Sequence, residues 1–96
     1  MRKRAVIDRT LRQLGKNCSI QRKLLELTLS DVAKRADVSI NTVRSVEAGK
    51  PVRSDCLFSI LKILQLLKPI VEASNPYNNA LGLARADMAL PQRVRH

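Results

Sequence analysis

Apolar side chains recur at helical spacing in the first quarter of the chain, and this periodicity restricts the fold more than any other feature. Steps of three, four or seven residues separate Ile7, Leu11, Leu14, Cys18 and Leu25. Such steps place the side chains on one face of an α-helix, which we expect to end near Glu26. Because the chain has one Phe, one Tyr and no Trp, its core must consist of aliphatic residues, a composition that favours helices. The sequence therefore predicts an all-α domain.

A short second helix is predicted by its own start and stop signals. Thr28 and Asp31 have the spacing of a capping box, with Asp in the place of the preferred Glu or Gln. The helix should run over residues 29–36. Asp37 is among the few residue types that tolerate a left-handed backbone, so a tight turn is expected there.

A third helix should begin after Ser39, a second N-cap, and end at Gly49. Val43 and Val46 are three residues apart and should face the core. The outer faces then carry Ile40, Asn41, Thr42, Arg44 and Ser45. Asn can pair with adenine, Arg with guanine and Ser with several bases, and an Ile side chain can touch a thymine methyl group. We therefore interpret this helix as one that reads DNA in the major groove.

The second half of the chain begins with a longer helix that is apolar on more than one face. Ser54 should cap this helix, which includes residues 57–67, and Pro69 should end it. Residues 69–73 form either a short strand or a last helical turn, and the Ile70–Val71 pair favours the strand. Such a strand would serve dimerisation.

The chain divides accordingly into three parts. Residues 1–10 form a basic N-terminal arm and the start of helix one, and residues 11–73 form the helix-turn-helix domain. Residues 74–96 form a C-terminal extension for dimer or partner contact, with a short helix over residues 80–90 and a basic tail. A chain of 96 residues suits one domain whose modest core often gains stability from dimerisation.

The charge balance points to a polyanionic partner. Eighteen Lys and Arg against eight Asp and Glu leave a net charge of +10, which attracts nucleic acid at long range. The charge is uneven, because residues 1–23 carry eight basic groups and one acid. The start of the chain therefore supplies most of the attraction.

Several other classes of protein find no support. The only cysteines, Cys18 and Cys56, lie at apolar helix positions and are expected to be buried thiols, while the single His96 is the last residue. We therefore expect no metal site, no cofactor and no catalytic residue, hence no enzyme. A signal peptide and an apolar run long enough to span a bilayer are both lacking, so a cytoplasmic protein with reduced thiols is expected.

A family resemblance extends over residues 11–68. The matching positions are Gly15, Arg22, Thr28, Val32-Ala33, Ala36, Val38-Ser39, Thr42-Val43, Glu47 and Gly49-Lys50. Their spacing resembles that of the Cro/cI (XRE-type) helix-turn-helix family. The resemblance implies a five-helix lambda-repressor-like domain and a transcriptional repressor that acts as a homodimer on a palindromic double-stranded operator. Such a regulator works at the nucleoid of a bacterium and is encoded by the bacterium or by a phage.

The resemblance also implies roles for individual residues. It puts the segment from Ser39 to Ser45 on the bases and Lys50 and Arg53 near the backbone. We count Thr28, at the start of the bracing helix, among the DNA-contacting residues. Arg22 and Glu47 are implied to form an ion pair that braces the motif.

Two departures from the family pattern weaken the expected phosphate contacts. Leu29 stands where the family often has Gln, and Asp37 stands where a turn Gly is common. The Asp37 carboxylate should disfavour nearby phosphates. Affinity is therefore expected to depend more strongly on Arg2, Lys3 and Arg4 of the basic arm and on other basic residues.

Within the family, residues 62–67 are similar to the HipB-like antitoxin branch, whose members repress their own operon and bind a kinase toxin. The resemblance therefore implies an autoregulating antitoxin of a toxin–antitoxin operon. Three alternatives stay open. The chain could be a phage or mobile-element repressor without a toxin, an interaction module whose DNA binding is secondary, or a basic membrane-surface protein, although the last lacks Trp and Phe anchors.

Overall fold

The computed structural model of the chain describes residues 4–86 and folds them into helices. In chain order these are α1 (Arg4–Leu24), α2 (Leu29–Ala36), α3 (Ile40–Glu47), α4 (Ser54–Ile63), α5 (Leu67–Ala73) and α6 (Ala80–Ala84), with a 3₁₀ turn at Pro76–Asn78. The described residues contain no strand. The all-α prediction is confirmed.

A single apolar core lies between the first four helices. Its buried members are Cys18, Val32, Ala33, Ala36, Val43, Val46, Ile60, Leu61 and Leu64. Helix α1 packs on α3, and α2 packs on both α3 and α4. As the composition predicts, the core is aliphatic, and each of α1, α2 and α3 contributes one face while its opposite face remains in solvent.

The four helices α1 to α4 end in the same way, through a residue with left-handed backbone. These residues are Glu26 (φ 59°), Asp37 (φ 58°), Gly49 (φ 79°) and Gln65 (φ 64°). In each case the next N–H donates to the carbonyl five residues back, as from Lys50 to Ser45 at 2.8 Å. This is the Schellman pattern, which satisfies carbonyls that have no partner within the helix. The end of α1 near Glu26, the turn at Asp37 and the stop at Gly49 follow the sequence prediction, whereas the stop at Gln65 does not.

The strand proposed for residues 69–73 is wrong, because these residues belong to helix α5. Pro69 does not end the preceding helix, which has already ended before Gln65. Instead Pro69 is the third residue of α5, in the first turn, where backbone N–H groups have no partner within the helix and a missing one costs little. The β-branched pair at Ile70 and Val71 is outweighed because no neighbouring strand exists among the described residues.

Helix α4 also differs from its prediction at both ends. Arg53, not Ser54, is the N-cap, and its side chain makes no capping bond. Ser54 is the first helical residue. The Asp55 carboxylate accepts a hydrogen bond from the Cys56 N–H at 2.8 Å, and its negative charge is favourable at a helix N-terminus.

Leu66 and Leu67 pack against the core, but the chain beyond them has little contact with it. None of the residues of α5, the 3₁₀ turn or α6 is buried. The predicted short helix over residues 80–90 is observed from Ala80 to Ala84, and residues 87–90 lie outside the described part of the chain. Large apolar side chains are exposed along this segment, namely Ile70, Val71, Tyr77, Leu81 and Leu83.

Candidate nucleic-acid interface

Helix α3 has one buried face and one open face. Val43 is fully buried and Val46 is 4% exposed, and both belong to the core between α1, α2 and α4. Asn41 and Arg44 are exposed, and Ile40, Thr42 and Ser45 are half-buried. The two valines therefore determine which side of α3 faces solvent.

The open face brings together side chains of different chemistry. Arg44 is three residues from Asn41 and four from Ile40, and Ser45 is four residues from Asn41. Residues at these spacings are neighbours on a helix surface. The face thus offers a guanidinium, an amide, a hydroxyl and one apolar side chain, which is the set of groups that discriminates base edges in the major groove.

The start of α3 is ordered by two hydroxyl groups. The Ser39 Oγ accepts from the Thr42 N–H at 3.0 Å and lies 2.8 Å from the Thr42 Oγ1. Ser39 is therefore the N-cap, as predicted. Because the two hydroxyls already bond to each other, they hold the helix end in place, and fewer of their hydrogen-bonding positions are free for a ligand.

Arg22 and Glu47, which the resemblance pairs, form a bidentate ion pair between α1 and the end of α3. The Arg22 Nε donates to Glu47 Oε2 at 2.7 Å, and its Nη2 donates to Oε1 at 3.2 Å. Its Nη1 donates to the Leu27 carbonyl at 2.9 Å, in the connection that leads into α2. Both side chains are largely buried, at 12% and 13% exposure. The hydrogen bond to Glu47 raises the pKa of Arg22, so the guanidinium is charged at any physiological pH and ties three segments together.

Gly15 allows α1 to lie directly against the end of α3. A Cβ atom at this position would collide with the Val46 carbonyl oxygen and with the Glu47 backbone. No other residue type fits without separating the two helices. This close approach places α1 against the last turn of α3, where Arg22 of α1 reaches Glu47.

The start of α2 carries the predicted capping box. The Asp31 N–H donates to Thr28 Oγ1 at 3.0 Å, and the Thr28 N–H donates to Asp31 Oδ2 at 2.9 Å. The bond from the Thr28 backbone lowers the pKa of Asp31. Thr28 itself is exposed. Leu29, in contrast, packs against the core, so it supplies no polar group at this helix end.

The basic residues proposed for phosphate contact are partly engaged with acids. Lys50 is exposed just after α3. The Arg53 Nη2 lies 2.8 Å from Asp55 Oδ2, and the Arg4 Nε lies 3.4 Å from Asp8 Oδ1, both in solvent-exposed pairs. Exposed pairs of this kind contribute little and are readily exchanged for another anion. Arg2 and Lys3 lie outside the described residues.

Comparison with protein-family models, with curated proteins and with solved structures finds no match to this chain. The geometry above therefore carries the functional argument. Within residues 4–86, no helix combines the length and apolar character needed to cross a membrane. The same part of the chain contains no cluster of three or more His, Cys, Asp or Glu side chains placed to hold a metal ion.

The two cysteines differ in their surroundings. Cys18 is fully buried in the core, and Cys56 on α4 is half-buried; neither forms a disulfide. Burial, assisted by the nearby Glu47 carboxylate, raises the pKa of Cys18 to about 11. A thiol with such a pKa stays protonated at neutral pH and reacts slowly. The prediction of a core thiol holds fully for Cys18.

Two contacts of α1 were not predicted from the sequence. The Gln21 Nε2 donates to the Leu64 carbonyl at 2.9 Å and so ties α1 to the end of α4. A Cβ atom at Gly49 would lie 2.7 Å from the Arg12 Cα, so the backbone that follows α3 runs against α1. No sequence pattern predicts either contact, because both depend on how segments distant in the sequence pack together.

Proposed function

We propose that the chain is a sequence-specific DNA-binding transcriptional repressor that inserts α3 into the major groove. One observation carries the proposal. Val43 and Val46 bury one face of α3 in the core, which leaves Asn41 and Arg44 side by side on the opposite, open face. A short helix that is held by its back and displays such groups on its front suits the reading of base edges.

The bracing of α3 supports this role. Direct readout requires that the side chains approach the bases from a fixed helix. The Arg22–Glu47 pair holds the end of α3 on α1, and the Ser39 hydroxyl caps its start. Both ends of the helix are thus restrained within the monomer.

Affinity in this proposal comes mainly from outside α3. Arg44 and Glu47 are the only charged residues of the helix, and their charges cancel. Positive charge is supplied after the helix by Lys50 and Arg53, and near the start of the chain by Arg2, Lys3 and Arg4. Phosphate neutralisation by such residues supplies affinity for any sequence, while α3 supplies discrimination.

A homodimer on a palindromic operator completes the proposal. A single eight-residue helix reads few base pairs, and two copies related by a two-fold axis read two half-sites about one helical turn apart. The exposed apolar side chains of α5 and α6 support a protein contact there. We place the dimer in the cytoplasm, at the nucleoid of a bacterium, encoded by the bacterium or by a phage.

The same apolar segment favours a second candidate role, that of an antitoxin whose C-terminal part also binds a toxin kinase. If the neighbouring gene encodes a kinase, mixing the chain with that kinase and measuring the mass of the complex tests this role. A complex that forms with wild type and fails with Leu81→Asp and Leu83→Asp supports it, whereas no complex with wild type contradicts it.

Selection of bound duplexes from a randomised library tests the main proposal. Wild type should enrich a palindrome with half-sites about 10 base pairs apart. Arg44→Ala should weaken binding to the selected duplex by about 1–3 kcal/mol, and its affinity for random duplex should fall much less. Arg35→Ala, which removes an exposed Arg from α2, is the matched control and should retain the preference. Enrichment of no sequence by wild type would contradict the proposal.

A further inference from the structure

Three basic side chains form an exposed stripe on α1. Arg9, Arg12 and Lys16 follow one another at spacings of three and four, and all three are exposed. These spacings place them on one helix face, over about 10 Å of helix length. We call this stripe the α1 basic face.

The α1 basic face lies on the side of α1 away from the core. The core side of the same helix segment carries Leu14, Gly15 and Cys18, and at 100° per residue the basic face is roughly opposite. Among the described residues none of its three cations forms an ion pair with an acidic side chain; the pairs present there involve Arg4, Arg22 and Arg53. The face therefore keeps its full charge.

The α1 basic face adjoins the loop that follows α3. The backbone at Gly49 runs against Arg12, since a Cβ atom there would lie 2.7 Å from the Arg12 Cα and 2.8 Å from its Cγ. Lys50, the next residue, is exposed. The cation at Lys50 and the cations of α1 thus belong to one continuous surface.

We propose that the α1 basic face binds DNA phosphates next to the phosphate that Lys50 contacts. The inference rests on the proposed function, in which Lys50 touches the backbone beside the reading helix. A duplex docked on α3 then presents further phosphates to Arg12, and from there to Arg9 and Lys16. Each cation that neutralises a phosphate releases condensed counterions, so these residues set part of the salt dependence of binding.

Lipid headgroups are the competing source of phosphate. Exposed apolar side chains of α1, among them Val6, Ile20 and Leu24, could accompany the cations onto a membrane. However, α1 contains no Trp or Phe to anchor it in an interface. The continuity with Lys50 favours DNA, and vesicle binding becomes an outcome of the test.

The test compares three variants of the full chain. In the first, Arg9→Gln, Arg12→Gln and Lys16→Gln remove the charge. In the second, Arg9→Lys, Arg12→Lys and Lys16→Arg keep the charge at the same positions. In the third, Lys34→Gln, Arg35→Gln and Lys62→Gln remove three exposed charges elsewhere. Circular dichroism confirms the fold of each, and Kd is measured on the selected operator and on random duplex over a series of salt concentrations.

The charge-removing variant of α1 should reduce the slope of log K against log salt by about 0.9 for each cation lost per bound protomer. Its affinity should fall by a similar factor on operator and on random duplex. The charge-keeping variant should match wild type, and the third variant should leave the slope nearly unchanged. Equal slopes for the first and third variants would overturn the inference.

Vesicles of 30% phosphatidylserine in phosphatidylcholine provide the other arm. Loss of vesicle binding in the first variant, with its DNA salt slope unchanged, would overturn the inference in favour of lipid. A failure of the proposed function gives a different result. If wild type prefers no sequence but the first variant still lowers the slope on random duplex, the α1 basic face binds phosphates as inferred, and the chain is not a sequence-specific regulator.

Discussion

At the scale of single residues, Arg22 makes the contacts that join most of the motif. Its guanidinium bonds to both carboxylate oxygens of Glu47 and to the carbonyl of Leu27, so one side chain joins α1, the start of the α2 connection and the end of α3. A largely buried cation with all these partners is costly to leave unpaired. The pair therefore holds the end of α3 on α1, and in the proposed function it braces the reading helix.

Glu47→Leu should lower the free energy of unfolding by about 2–3 kcal/mol, because it leaves the largely buried Arg22 charge without its acidic partner. The double variant Arg22→Met with Glu47→Leu should lose less than the sum of the two single losses, since neither charge is left behind. Urea unfolding of the four proteins measures this. Additive losses within about 0.3 kcal/mol would show that the two side chains act independently.

Cys18 gives the fold a pH dependence in the alkaline range. Its pKa is raised from 9.0 to about 11, mainly by burial, so the folded state binds the thiol proton more tightly than the unfolded chain does. The stabilisation is complete below pH 9 and is lost as the pH rises to 11. The loss should amount to about 2–3 kcal/mol.

Unfolding of wild type and Cys18→Ala between pH 8 and pH 11 checks this prediction. The alanine variant starts from lower stability because of the cavity it creates, but its stability should fall less steeply with pH. Parallel pH profiles for the two proteins would contradict the assignment.

The two cysteines should also differ in reactivity. Cys56 should react with a thiol reagent at pH 8 well before Cys18 does, because only Cys18 is fully buried.

At the scale of the elements, the left-handed residues that end the helices fix the angles between them. Only Gly49 is a glycine; Glu26, Asp37 and Gln65 hold the same backbone with a side chain present. A left-handed L-residue is strained relative to glycine, by about 1–2 kcal/mol for most types and less for Asp. Replacing one of these three residues by glycine would relieve this strain. The resulting gain in stability is reduced by the larger conformational entropy that glycine loses on folding.

Gln65→Gly should therefore raise the free energy of unfolding by about 0.5 kcal/mol or more. Asp37→Gly should stabilise less, since Asp tolerates this backbone better. It should also strengthen DNA binding by roughly 0.5 kcal/mol at low salt, because a negative charge next to α3 is removed. Gln65→Gly serves as the control, with unchanged DNA affinity. Equal DNA affinities for all three proteins would remove Asp37 from the interface.

The elements also show what the sequence could and could not predict. Capping residues and apolar spacing are local signals, so the bounds of α2 and α3 follow directly from Thr28, Ser39 and Gly49. The end of α4 is different, because nothing local marks Gln65 as a left-handed stop. The strand assigned to residues 69–73 failed for a related reason: β propensity needs a partner strand, and whether one exists is a property of the whole fold.

At the scale of the whole molecule, the described residues form a core domain and a C-terminal segment of different character. The first four helices share the buried residues, whereas α5, the 3₁₀ turn and α6 bury none and expose several large apolar side chains. Ordered helices with open apolar surface suit a protein contact. In the proposed dimer this segment supplies it.

Val71→Asp should shift the full chain from dimer to monomer in sedimentation equilibrium and weaken operator binding, because a charge would enter the apolar contact. Val6→Asp is a matched control, since Val6 on α1 is 57% exposed and Val71 is 56% exposed. The control should leave the mass unchanged. A monomeric wild type would contradict the dimer itself, and equal masses for the two variants would place the dimer contact elsewhere.

The central claim is that the open face of α3 reads base pairs, and a complete set of single base-pair changes in the selected operator tests it most directly. Affinities of wild type and Arg44→Ala are measured across this set. We predict that Arg44→Ala loses discrimination at one base pair in each half-site, by about 1–3 kcal/mol, and keeps the wild-type preference at all other positions. A uniform loss of affinity at every position, with wild-type discrimination retained throughout, would contradict the claim.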